Sequence, residues 1–294
     1  MDVIYWDSSY NDILLLNLAI TVTIFATIRF FMGAVARIDT EEHLFKKDNP
    51  AFGICLTGVV LAVSIVLSGL VYGGIEGNIV QSAIRTAVFG VVSVILFIIA
   101  RLIFDKITLP NINLRKEINR GNIAAAVADT GNVLAAAIII KSVMTWITDT
   151  SFKSVVYLIA AYAISQVILT VITLIKRRLF DMRNRDHILQ DELHRGNTAL
   201  GLAFAGQKIA NAFAFTIAAN IVVYEVYEFS ALILPWAMVS IAVIAVLAIL
   251  SFLAEKIILL GHDADYEILK QRNIAAGALR AGIYISVALI LAEV

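Results

Sequence analysis

Asp129, Lys208 and Arg280 stand inside long apolar runs of a 294-residue chain. Ionisable residues inside a membrane-spanning segment are costly and normally face a bundle interior or a water-filled cavity. The chemistry open to one acid and two bases is ionic: a charged vestibule, a gate, or a coupling site for an ion or small anion. Two other readings stand beside it. The charges could form a buried ion pair that fixes the register of the helices. The long basic side chains could instead snorkel to the nearer surface.

Other chemistries find less support. The histidines His43, His187, His194 and His262 fall in charged links between apolar runs. They could sense pH or hold a metal, but no pair has helical metal spacing with a matching carboxylate. Cys55 is the single cysteine, which excludes an intramolecular disulfide framework and a cysteine-based zinc site. There is no phosphate-binding glycine loop, dinucleotide fingerprint or nucleophile elbow. An enzyme is not expected, and neither catalytic residues, cofactor nor metal is assigned. Net charge is zero, so composition implies no nucleic-acid partner.

The elements that must hold the three charges follow from composition. Hydrophobic residues make up 60% of the chain and charged ones 16%, with a mean hydropathy of +0.88. Uncharged runs of about 20 residues are long enough to cross a bilayer. Eight spans are expected, near 13–36, 51–73, 79–104, 122–147, 153–175, 198–223, 231–256 and 273–292. The links at 37–50, 105–121, 176–197 and 257–272 and their flanks carry most of the Lys and Arg. Basic residues favour the cytoplasmic side, so both termini are expected outside. Asp2 and Asp7, with no basic residue before the first apolar run, do not read as a cleavable signal peptide. Trp6, Trp146 and Trp236 fall near outer span ends, where amphipathic rings favour the interface.

A short motif recurs four times: Asn49-Pro50-Ala51, Asn122-Ile123-Ala124, Asn197-Thr198-Ala199 and Asn273-Ile274-Ala275. Successive asparagines lie 73, 75 and 76 residues apart, the mark of an internal repeat. Asn is a preferred helix N-cap, and Pro50 suits the first helical position; ligand binding is the other reading. An apolar residue precedes each Asn by four: Phe45, Ile118, Leu193 and Leu269. The links therefore read as short amphipathic segments at the membrane surface.

On a helical wheel, positions two, nine and thirteen after each Asn share one face. They are Ala51, Gly58 and Ala62; Ala124, Gly131 and Ala135; Ala199, Gly206 and Ala210; Ala275, Gly282 and Ser286. Small residues so spaced let helix backbones approach closely. The opposite face carries Asp129 and Arg280 at position seven and Lys208 at position eleven. At 1.5 Å per residue these lie roughly 10 and 16 Å inside the helix ends. Their equivalent faces predict one ionic cluster at a shared pseudo-symmetry axis.

The segments Glu117-Ile118-Asn119-Arg120-Gly121-Asn122 and Glu192-Leu193-His194-Arg195-Gly196-Asn197, each with a downstream Gly, resemble those of the YjfL-like bacterial inner-membrane proteins. The resemblance covers nearly the whole chain as a tandem duplication. Asp48 and Arg272 depart from it, replacing the Gly before the Asn. It implies an inner-membrane location and a helical fold for a family of unknown function, and no site residues.

The expected architecture is an all-α membrane protein of eight transmembrane helices. It is built from four parallel two-helix repeats, pseudo-symmetric about the membrane normal, with halves 1–147 and 148–294. The expected function is a channel or transporter for an ion or small solute. The alternative is a membrane scaffold or sensor, engaging lipid or a protein partner, cytoplasmic or membrane-bound, through its basic links.

Overall fold

The computed structural model describes residues 11, 15–16, 18–26, 40–72, 79–144, 146, 151–184, 187–222 and 229–293. Among them every regular element is helical. In chain order these are residues 18–26 (α1), Pro50–Tyr72 (α2), Ile79–Ile103 (α3), Leu114–Asn119 (α4), Ile123–Met144 (α5), Phe152–Arg183 (α6), Leu189–His194 (α7), Thr198–Ile221 (α8), Phe229–Ile258 (α9), Ala264–Leu269 (α10) and Ile274–Ala292 (α11). Turns of π-helix at Glu42–Lys46 and Phe104–Thr108 precede α2 and extend α3.

Seven of these helices are long and apolar enough to cross a membrane. The expected span at 13–36 lies largely outside the described residues, as do Trp6 and Asp2. Two spans overrun their expected ends. The longer, α6, runs 32 residues to Arg183, about 48 Å at 1.5 Å per residue. That exceeds a hydrocarbon core of about 30 Å, so its Lys176–Arg183 turn can reach water without breaking the helix.

The expected surface segments are three helices of six residues, α4, α7 and α10. Each tucks an apolar residue beneath the bundle: Ile118 is 9% exposed, Leu193 0% and Leu269 5%. Phe45, at the same offset in the first motif, is 72% exposed.

The helices that follow the asparagines, α2, α5, α8 and α11, pack in that order, each on the next. The helices between them lie against the junctions: α3 touches α2 and α5, α6 touches α5 and α8, and α9 touches α8 and α11. The span most enclosed by protein is α5. One apolar cluster, including Phe89, Ile139, Tyr162 and Phe215, fills the middle of the bundle. A second, including Phe52, Phe104, Leu193 and Ile268, lies at the Asn ends of the helices.

The tryptophans correct an expectation. Trp146 and Trp236 are buried at 5% and 0% exposure and meet edge to face, 5.3 Å apart. The Trp236 indole N–H donates to the Phe215 carbonyl at 3.1 Å. With its one polar atom satisfied by protein, the ring needs no place at the lipid headgroups.

Candidate functional site

The small-residue face is a set of seams. A methyl group on Gly58 would meet the Thr130 side chain, one on Gly131 would sit 2.5 Å from Ala205 Cβ, and one on Gly206 would sit 2.5 Å from Ala281 Cβ. In each case position nine after one Asn faces position eight after the next. A second set lies one turn nearer the asparagines: Gly201 rests on the backbone of Ala124, and Gly277 on that of Ala199. Only glycine fits such an approach, and close packing substitutes for the hydrophobic drive that lipid cannot supply.

The seams run in one direction and do not return. Among the described residues, a methyl group on Gly282 would meet nothing within 4 Å, and one on Gly53, the counterpart of Gly201 and Gly277, would meet only Leu44. The α11 seam face is therefore not seated on α2, and the four helices form an open row. A shared central axis, expected from the wheel, is replaced by a step repeated along that row.

Each Asn caps its own helix, and the first three also hold two units together. Asn49 Oδ1 accepts from the Phe52 N–H at 3.1 Å, capping its own helix, while Nδ2 donates to the Ile118 and Asn119 carbonyls at the end of α4. Asn122 caps through Ala125 and donates to the Leu193 and His194 carbonyls of α7. Asn197 caps through Leu200 and donates to the Ile268 carbonyl of α10. Asn273 accepts from Ala275 and Ala276, and its Nδ2 donates to Glu267 at 2.9 Å. The residue before each Asn has positive φ: Asp48 45°, Gly121 86°, Gly196 75° and Arg272 52°. The backbone keeps the same reversal in all four, including the two that lack the expected glycine.

Three glutamates join this network. Glu117 accepts from Asn122 Nδ2 at 3.1 Å and lies 3.3 Å from His194 Nδ1 of the following unit. Glu192 is 3.0 Å from His187 Nδ1, 3.3 Å from Asn197 Nδ2 and 3.4 Å from Arg272 Nη2. Burial alone would raise the Glu192 pKa. The His187 and Asn197 hydrogen bonds and the Arg272 charge outweigh that and hold it below the usual carboxylate range. Glu267 takes the matching place beside Asn273. Sequence reasoning gave these glutamates no role, although Glu117 and Glu192 share an offset of five residues from their asparagines.

No ion pair joins any two of Asp129, Lys208 and Arg280. Asp129, 3% exposed, is gripped by Arg101 of α3, with Nε to Oδ1 at 3.2 Å and Nη2 to Oδ2 at 2.5 Å. Arg280 makes the same two-pronged contact with Glu255 of α9, at 2.7 and 2.9 Å, and reaches Asp265 at 2.8 Å. The two forks link position seven of an Asn-led helix to the end of the preceding span, with the signs exchanged. Planar guanidinium suits this bidentate geometry. Neither partner, Arg101 or Glu255, is marked by the helical periodicity that singles out Asp129 and Arg280.

Lys208 is different. It is 5% exposed, and its Nζ lies 4.2 Å from the centre of the Phe104 ring. The Asp129 charge acts on it, but that carboxylate is already held by Arg101. Phe204, one turn back on α8, packs its ring 5.9 Å from Phe104. At the α3–α5–α8 junction the structure thus places two bases and one acid, Arg101, Lys208 and Asp129. Arg280 belongs elsewhere.

This fold and these buried charges define a multi-pass, all-helical membrane protein. The chain belongs to the DUF350 family, a domain of unknown function, which matches residues 8–144, 78–190 and 149–294. The repeated matches indicate internal duplication, and membership is shown at the level of that family. The chain is also 25% identical over 133 residues to a UPF0719 transmembrane protein of Aquifex aeolicus (strain VF5). That alignment covers 45% of this chain and 48% of the relative, so it spans about half the relative's length. No solved structure matches the chain.

Proposed function

We propose that this is an inner-membrane protein of eight spans, four copies of a two-helix unit with both termini outside, that passes an ion or small anionic solute. The operative group is Lys208, set beside the Arg101–Asp129 pair. The observation that carries the reading is the burial of a lysine within an apolar helix against an aromatic ring, while Asp129, the acid whose charge acts on it, is engaged by Arg101. A cation in apolar surroundings with no dedicated counter-ion is costly, and such residues usually mark solute or proton pathways. An anion arriving at the junction would neutralise it. A proton leaving Lys208 would do the same, so the site can couple charge movement to occupancy.

The test is flux in liposomes containing the purified protein, with chloride and inorganic phosphate as probes. Wild type should conduct above empty vesicles, and Lys208→Met and Asp129→Asn should each reduce the rate at least ten-fold. Equal flux in wild type, both variants and empty vesicles would discard the reading. The scaffold reading then gains, and a specific feature favours it: the seams and the Asn–carbonyl links make a rigid row whose charged surface faces the cytoplasm. In that case crosslinking in cells through residues 105–121 or 176–197 should recover a reproducible partner.

A further inference from the structure

The two ends of the row carry unmatched halves of the contact that joins its members. At the last end, Ala275, Gly282 and Ser286 are all exposed, whereas all nine residues at the same positions on α2, α5 and α8 are buried. At the first end, Thr57 is exposed and Gly53 is not covered by a neighbouring helix. Their counterparts Thr130, Ala205 and Ala281 receive the preceding glycine, and Gly201 and Gly277 receive the preceding alanine.

The polar layer is unmatched in the same sense. The side chains of Asn49, Asn122 and Asn197 cap carbonyls of the following short helix, whereas the Asn273 amide donates to its own Glu267. Glu117 and Glu192 each lie beside a basic residue from the following unit, His194 and Arg272. For Glu267 the residue matching His194 would be Lys46, three before its Asn, which is exposed at the first end. Phe45 beside it is 72% exposed where Ile118, Leu193 and Leu269 are covered.

We propose that copies of this chain associate end to end, the seam face of α11 in one copy seated on the α2 face of the next. Gly282 would meet Thr57 of the second copy, Ala275 would meet Gly53, Asn273 would reach the carbonyls near Phe45, and Glu267 would face Lys46. The small faces, the capping amide and the carbonyls match those of the three joins already made within one chain, and Glu267 and Lys46 are opposite in charge, although Asp48 stands at the position from which Arg272 meets Glu192. That complementarity selects a second copy over lipid or an unrelated helix. A head-to-tail contact of this kind gives a closed ring or an open filament, not a two-fold dimer.

The test uses disulfide trapping in membranes with Cys55 replaced by Ala. Thr57→Cys combined with Gly282→Cys should give a ladder of crosslinked species, or one band for a closed ring. Either single variant should stay uncrosslinked. A charge exchange checks the same contact: Lys46→Glu should weaken association, and adding Glu267→Lys should restore it. Gly282→Trp, placed in open space within its own chain, should reduce the mass of the protein in lipid nanodiscs to one chain without lowering its unfolding midpoint. The proposal is overturned if the folded double variant remains monomeric. It is equally overturned if Thr57→Cys or Gly282→Cys alone crosslinks as well as the pair.

Discussion

Substituting alanine for Gly206 and for Gly282 compares a closed seam with an open one at equivalent positions. At Gly206 the new methyl lands 2.5 Å from Ala281 Cβ and 3.0 Å from the Ala281 carbonyl oxygen. Carbon atoms rest about 3.5–4.0 Å apart, so α8 and α11 must separate by about 1 Å. Overpacking of that size costs about 1–3 kcal/mol. Alanine in place of a helical glycine returns about 1 kcal/mol in both variants. The net expectation is a loss of about 0–2 kcal/mol for Gly206→Ala and a gain of about 1 kcal/mol for Gly282→Ala, which meets nothing. Helix propensity cancels in the comparison, leaving a difference of about 1–3 kcal/mol that reports the seam alone. Reversible unfolding by a denaturing detergent in dilute mixed micelles, where single chains predominate, measures both. Midpoints that move equally, within about 0.5 kcal/mol, would refute the seam as a stabilising contact.

Three further outcomes follow from the polar contacts. Arg101→Met takes the bidentate partner from buried Asp129, leaving Lys208 as the remaining base at that junction, and should cost up to about 3–5 kcal/mol, while Arg101→Met with Asp129→Leu should recover most of it; a double-mutant cycle on unfolding midpoints checks this. Both Asn122→Ala and Asn273→Ala remove a cap and a hydrogen bond to the glutamate of the same unit, but only Asn122→Ala also removes the link to two carbonyls of α7. Unfolding should therefore show the larger loss for Asn122→Ala, above the roughly 1 kcal/mol typical of a cap. Glu192 has a folded-state pKa below its ordinary value of 4.5. Its stabilising contribution is thus fully present above that value and is lost as pH falls through the lower folded one. Melting temperatures between pH 7 and pH 3 should fall less steeply at the acid end in Glu192→Gln than in wild type.

Much of this molecule was legible in the sequence because its asparagines and glycines answer local demands. A helix start needs acceptors for its free N–H groups, and Asn49, Asn122, Asn197 and Asn273 supply them whatever lies nearby. A face of Ala51, Gly58 and Ala62 and its copies has one use in a bilayer, close approach. What the face could not tell was whether the fourth copy returned to the first, because a ring and a row present the same residues. Gly282 in open space decides it. The partners of Asp129 and Arg280 were hidden for a related reason. Each pairs with the span preceding its own helix, and which side of a helix that span occupies is set by packing order rather than by periodicity. The cross-unit reach of Asn49 to Ile118 was likewise invisible, since a cap is read within one helix. Trp236 was misplaced because a ring at a span end can serve the interface or the core, and only the Phe215 carbonyl distinguishes them.

The arrangement of the row is most directly tested by pulsed electron spin resonance distances between labels at Lys46, Arg120, Arg195 and Lys270, one exposed residue beside each Asn. Wild-type chains in nanodiscs would be diluted with unlabelled protein, so that only distances within one chain are read. Helix axes pack about 8–10 Å apart, so an open row requires the distance from position 46 to grow at every step, to 120, then 195, then 270. A distance from 46 to 270 as short as that from 46 to 120 would mean that the four units close on themselves, and would contradict both the row and the end-to-end association built on it.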